Sequence, residues 1–143
     1  MKSELPAIAK HTARVAACIE EAVTRFPRRH RYALGADLRG NAMQVMRAVR
    51  KAWRERSRQL QRVYELSGAI DDLKDSMMLA ESVSAFGSFR EFEAVSRLVN
   101  ELGKQCGGWL KKLHSMGQNG HGSSAAQRAP TLSSHDTQLR VSL

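Results

Sequence analysis

A seam of mostly apolar residues opens the chain: Leu5, Ile8, Thr12, Val15, Ile19, Ala22 and Phe26, alternately three and four positions apart. That spacing follows the turn of an α-helix, so all seven side chains share one face. Pro27 ends the run, because proline has no amide hydrogen to continue the ladder. A second seam reads Leu34, Leu38, Ala42, Val45, Val49, Ala52, and a third Val63, Leu66, Ile70, Leu73, Met77, Ala80. The fourth comprises Phe92, Val95, Val99, Leu102, Cys106, Trp109 and Leu113. Ser88 followed by Glu91 is a capping box, which starts the fourth helix near Phe89.

The PRRHR stretch after Phe26 reads as the short connection between helices one and two. The break between helices two and three is poorly signalled, since WRERSRQLQR holds neither Gly nor Pro. Unbroken, a helix over 31–82 would run about 75 Å. A compact chain must turn near Arg56–Ser57, with Ser57 available as an N-cap. The expected helices are 4–25, 31–56, 58–82 and 89–113. Short loops join them into an all-α, antiparallel up-down-up-down four-helix bundle over 1–114. Beyond His114 the chain turns to Gly, Ser, Gln and Asn without periodicity, so 115–143 is expected to be a flexible C-terminal tail.

Composition fits this picture. Hydrophobic residues make up 42% and aromatics only 6%, so Leu, Val, Ala and Met must fill the core. No apolar run is long enough to span a bilayer, and the N-terminus lacks the apolar segment of a secretory signal. A cytoplasmic protein without a membrane partner is expected. Cys18 and Cys106 stand alone on apolar helix faces, as buried reduced thiols do.

Charge changes the picture more. The net charge is +9, and residues 25–58 hold eleven basic residues against two acidic ones. The rest of the chain is nearly neutral, so the excess sits on one segment and points to a polyanionic partner. At 100° per residue, Arg39, Arg50, Arg54, Arg58 and Lys51 fall within about 80° of Arg47, opposite the apolar seam of helix two. They form a cationic stripe about 25 to 30 Å long, which can meet many phosphates of a nucleic acid. Arg28, Arg29 and Arg31 extend the field at the start of the helix. A merely solvated face would mix signs for i,i+4 pairing, whereas only Asp37 and Glu55 interrupt this one. Trp53 and Tyr32 lie along the same helix, either to stack on unpaired bases or to pack at a boundary. Without a base-reading motif, contacts to the backbone are expected.

Catalytic constellations are missing from the sequence. No His follows a Glu by three positions, as bundle metal sites need, and neither a phosphate loop nor GxSxG occurs. Asp71, Asp72 and Asp75 read as a solvated helix face. No enzymatic activity, metal or cofactor is expected.

Two stretches resemble a known family. FPRRHRYALGADLRGNAMQVM (26–46) is similar to the helix-one-to-two signature of a bacterial four-helix-bundle family. ELGKQCGGWLKK (101–112) resembles the closing signature of one branch, the accessory variability determinants (Avd) of diversity-generating retroelements. A sister branch, encoded in intervening sequences of 23S ribosomal RNA genes, carries an S-I-x-x-N-I-A-E-G run that NAMQVMRAVRKAW does not match. The Avd resemblance covers about residues 5–112. It implies a basic protomer of a barrel-like homopentamer, bacterial or phage-encoded. Its partners would be a reverse transcriptase and template-repeat RNA, with the cDNA as a further candidate, in mutagenic retrohoming. Cys106, where a large aliphatic residue is usual, and the stretch after His114 depart from the pattern.

Gly103, Gly107 and Gly108 raise a separate question, since each costs about 1 kcal/mol in a helix relative to alanine. Together with Trp109 they read as a helix or subunit contact, with Gly107 and Gly108 as C-cap residues the alternative. Two other functions stay open: a general RNA-binding bundle of the ribosomal intervening-sequence type, and a protein-interaction bundle docking an acidic partner.

Overall fold

Most residues of each apolar seam form the buried stripe of one long helix in a computed structural model of the protein, which describes residues 6–121; Leu34, Phe92, Trp109 and Leu113 are only half-buried. The elements are α1 (Ala7–Thr24), a one-turn α2 (Arg28–Arg31), α3 (Leu34–Arg54), a 3-10 turn (Arg56–Arg58), α4 (Gln59–Ser82) and α5 (Phe89–His121). Among the described residues there is no strand. The chain divides into two units, 1–110 and 111–143.

Within the first unit the seams pack as their spacing requires. Ile8, Val15, Ile19 and Ala22 of α1, Leu38, Ala42, Val45, Val49 and Ala52 of α3, and Val63, Leu66, Ile70, Leu73 and Met77 of α4 are all buried. From α5 come Val95, Val99, Leu102 and Cys106. Thr12, the buried hydroxyl among them, donates to the Ala9 carbonyl at 2.8 Å, which satisfies it inside α1. Side chains join the helices in a cycle. Arg39 of α3 meets Glu20 of α1 at 2.8 Å. Asn41 of α3 donates to Ser76 of α4 at 2.8 Å. The Cys106 thiol of α5 donates to the Val63 carbonyl of α4 at 3.8 Å. His11 of α1 lies 3.0 Å from the Leu98 carbonyl of α5. Burial, with the Asp71 carboxylate adding to it, pushes the Cys106 thiol up, which keeps it a packed, protonated group.

The connections differ from the expectation in instructive ways. PRRHR is not a plain linker. Pro27, with its ring fixed near the helical φ, opens a helical turn whose His30 and Arg31 amides donate to its carbonyl at 2.9 and 3.0 Å. Helix two accordingly begins at Leu34 rather than 31. Ser57 does not cap α4: Arg58 takes the N-cap position, and no side chain bonds there. The break falls at Glu55 and is held by polar side chains instead. Gln59 donates to the free carbonyl of Ala52 at 2.9 Å, and Arg62 bridges Glu55 and Glu65, each at 2.9 Å. The hydrogen bond from Arg62 holds the Glu65 carboxyl below its usual range. At the next corner the chain closes as a Schellman motif, Ala85 donating to the Ala80 carbonyl at 2.8 Å with Ser84 at φ 57°.

The capping box forms, with one change. Ser88 Oγ accepts from the Glu91 amide at 3.1 Å, while Glu91 reaches back to the Gly87 amide at 3.2 Å. Glu91 also takes Arg25 at 2.6 Å, tying the end of α1 to the start of α5. From there α5 continues to His121, past the expected end at 113. Its last residues, from Lys111, belong to the second unit, where Lys111 and Lys112 are exposed. The expected tail falls, from 122 onward, outside the described residues.

One glycine has a steric reason to be a glycine. A Cβ on Gly35 would stand 2.6 Å from Val23 Cγ1, so α3 and α1 approach each other through that missing side chain. Gly107, by contrast, has open space where its Cβ would be. The same substitution should therefore have opposite signs at the two positions. Gly35→Ala is expected to destabilise by about 1–2 kcal/mol, over-packing outweighing the gain in helix propensity. Gly107→Ala should stabilise by up to about 1 kcal/mol. Denaturant midpoints of the two variants check the pair.

Candidate nucleic-acid interface

The outer face of α3 follows from the burial of its seam. With Leu38, Ala42, Val45, Val49 and Ala52 turned inward, Arg47, Arg50, Lys51 and Arg54 are exposed, and none has an ion pair within 4.0 Å among the described residues. They span two turns, about 10 Å of helix. Four unpaired cations on so short a ridge repel one another, and a polyanion relieves that repulsion.

The other predicted cations are placed differently. Arg39 is half-buried and engaged by Glu20, with exposed Gly40 and Met43 on the stretch of α3 between it and Arg47. Arg58 is exposed but sits on the 3-10 turn, where the helical phase that placed it on the stripe no longer applies, and it donates to Gln61 at 3.3 Å. The stripe is therefore shorter than the expected 25 to 30 Å, because the chain turns at Glu55 and Arg39 is taken up by α1. Arg28 and Arg29 are exposed on α2, about six turns of α3 away from Arg54. Arg31 is half-buried, with Nη2 donating to the Phe26 carbonyl at 3.3 Å and Nε buried without a partner.

Arg56 lies outside the cationic stripe that the sequence spacing predicts. Its guanidinium lies 4.7 Å from the centre of the Trp53 ring, over its face. Trp53 itself is half-buried, so the face that could stack on a base is already covered. The i,i+3 spacing of Trp53 and Arg56 was visible in the sequence, but only the turn at Glu55 brings them together. Tyr32, on the other hand, is 73% exposed.

Beside the cationic ridge runs a groove of about 500 Å³ between α3 and α4. Arg47 and Lys51 line one wall, Glu65 and Asp72 the other. Lys51 is near enough to lower the Glu65 carboxyl further. The free positive field is thus directed away from α4, over Arg50 and Arg54.

The glycine-rich stretch of α5 is not a contact strip inside the protomer. Gly107 and Gly108 face open space, and the neighbour at Gly103 is the flexible end of Lys74, whose Nζ would be 3.1 Å from an added Cβ. Nor do the glycines end the helix, which runs on to His121. Trp109 is half-buried, not fully in the core. Gly103 borders a groove of about 450 Å³ between α4 and α5, together with Asp71, Lys74 and Lys104.

Among the described residues no group of three or more His, Cys, Asp or Glu could hold a metal ion. No helix there is long and apolar enough to cross a membrane. No curated protein matches the sequence. The family model described as bAvd-like matches residues 7–113, from the first residue of α1 through the glycine-rich stretch of α5. Helices α1, α3 and α4, α5 as far as Leu113, the cationic ridge and both signature stretches lie within that match, and the chain belongs to the bAvd-like family.

Proposed function

We propose that this protein is a nucleic-acid-binding accessory factor of a diversity-generating retroelement. It assists a reverse transcriptase in copying template-repeat RNA into mutagenised cDNA. Its own part is binding rather than catalysis. The observation that carries this reading is the ridge of Arg47, Arg50, Lys51 and Arg54, exposed and without ion pairs among the described residues, on a chain of the bAvd-like family. Guanidinium groups grip phosphate in two-point fashion, and three of the four cations are arginines. Arg28 and Arg29 add phosphate contacts at the far end, whereas Arg39, Arg31 and Arg58 support the site from engaged positions.

The protomer would be an antiparallel, up-down-up-down bundle. Paired contacts support this: Val23 with Gly35, Asn41 with Ser76 and Cys106 with Val63 run in opposite senses along their helices. Five protomers would close into a barrel, with the open surface at Gly107 and Gly108 available to a neighbouring subunit.

Affinity purification of the tagged protein from its host, with bound RNA sequenced and bound proteins identified, tests the function. Recovery of a reverse transcriptase with template-repeat RNA is expected, and the purified protein should have the mass of a pentamer. Ribosomal RNA without a polymerase would replace this reading with the intervening-sequence type. An acidic protein without RNA would replace it with a docking bundle.

A further inference from the structure

Exposed rings and arginines gather at the end of the bundle remote from the Arg47–Arg54 ridge. The shared end follows from the contacts. Arg25, just past α1, pairs with Glu91 in the first turn of α5 at 2.6 Å, and Val23 abuts Gly35 in the first turn of α3. Phe26 meets Phe86 edge-on at 5.2 Å, Phe86 meets Phe92 at 5.4 Å, and Phe92 meets Phe89 at 5.8 Å. A ladder of rings thus runs from the buried Phe26 out to Phe89, which is 63% exposed. Tyr32, at the end of α2, is 73% exposed. Arg28 and Arg29, both exposed, stand on the turn that leads to Tyr32, and the exposed Arg90 follows Phe89.

We propose that this end of the bundle binds unpaired nucleotides, with Tyr32 and Phe89 stacking on bases and Arg28, Arg29 and Arg90 holding the phosphates between them. The inference rests on the nucleic-acid reading above and deepens it: the α3 ridge tracks a backbone, while this end selects for single strand. The chemistry favours nucleic acid over a protein surface. Each exposed ring has an exposed arginine within four residues in sequence, and Arg28, Arg29 and Arg90 form no ion pair among the described residues, so their charge is left for a polyanion. Stacking needs a ring with a free face and a cation to hold the strand, the combination that sequence-tolerant single-strand binders use. Trp53 lacks the free face, because Arg56 covers it. The carboxylate of Glu91 does not oppose the anion, being engaged by Arg25 and the Gly87 amide. Along α3 the two sites are about 25 Å apart, so one RNA with paired and unpaired portions can occupy both.

The test compares a labelled single-stranded oligouridylate with a blunt RNA duplex of equal phosphate number, using full-length protein and the double variant Y32A/F89A. Both side chains are exposed, so helicity by circular dichroism should be unchanged. The variant is expected to lose at least about tenfold in affinity for the single strand while keeping duplex affinity within about twofold. Unchanged single-strand affinity, or an equal loss on both probes, would overturn the inference and leave the α3 site standing. A change in oligomeric mass with single-strand affinity intact would assign the rings to a subunit contact instead. Failure of the unaltered protein to bind either probe would remove the nucleic-acid reading as a whole.

Discussion

Changing Arg47, Arg50, Lys51 and Arg54 together to glutamate is expected to abolish RNA binding while leaving the helical content intact. The four side chains are exposed and make no ion pair among the described residues, so their reversal removes no protein contact of that kind. Their backbones form part of α3, whose seam of Leu38, Ala42, Val45, Val49 and Ala52 is untouched. Glutamate is as good a helix former as lysine or arginine. Exchanging four positive charges for four negative ones should cost at least about 100-fold in RNA affinity at moderate salt. Reverse-transcriptase binding should be lost with it if the polymerase is recruited through the same ridge. Gel shifts and circular dichroism on the same preparation read both halves. A loss of helicity would mean that the ridge has a structural role. The single change R39E should have a different signature: it breaks the Glu20 pair at the α1–α3 seam and alters RNA affinity little.

The second large effect is on stability. Phe26→Ala is expected to cost about 3–5 kcal/mol. Phe26 is 1% exposed and sits where the end of α1, the α4–α5 corner and α5 meet, edge-on to Phe86 at 5.2 Å. Removing its ring leaves Phe86 without that partner and opens a cavity where these elements meet. Its carbonyl, which receives Arg31, is unaffected, so the loss belongs to packing. A domain of this size has a total stability of about 5–15 kcal/mol, of which this is a large share. Met78→Ala serves as the control. Met78 is 59% exposed, and its truncation should change stability by less than about 0.5 kcal/mol. Urea midpoints at constant m would establish the difference.

The helices were legible because each carries a one-sided seam, and burial follows the middle of each seam: Val15, Ile19, Leu66, Ile70 and Leu102 are all at most 2% exposed, while Leu34, Phe92, Trp109 and Leu113 at the seam ends are half-buried. The α3–α4 break was not legible in its details, since the chain turns there without Gly or Pro. What holds it is a set of three-dimensional contacts, Gln59 on the Ala52 carbonyl and Arg62 between Glu55 and Glu65, whose pairing no linear rule singles out. For the site, helical phase placed Arg47, Arg50, Lys51 and Arg54 correctly on the outer face of α3. It failed at Arg58, where the helix had already ended, and it could not foresee that Glu20 of another helix would take Arg39. The glycines show the same limit. Gly103 and Gly107, which share a strip of α5, meet no neighbouring backbone within the protomer, while Gly35, whose spacing in YALGADL gives no such hint, is pressed against α1. Periodicity reports which face is buried; it does not report how closely the neighbour approaches.

The central claim, that the α3 ridge meets phosphates, is tested most directly by the salt dependence of RNA affinity in the unaltered protein. Each phosphate neutralised on a duplex contributes about −0.9 to the slope of log affinity against log salt. Contact through Arg47, Arg50, Lys51 and Arg54 predicts a slope of about −3.6 or steeper on duplex RNA, flattened by about that amount when the four are changed to glutamine. A slope near zero in the unaltered protein, or one that the four glutamines leave unchanged, would contradict the account.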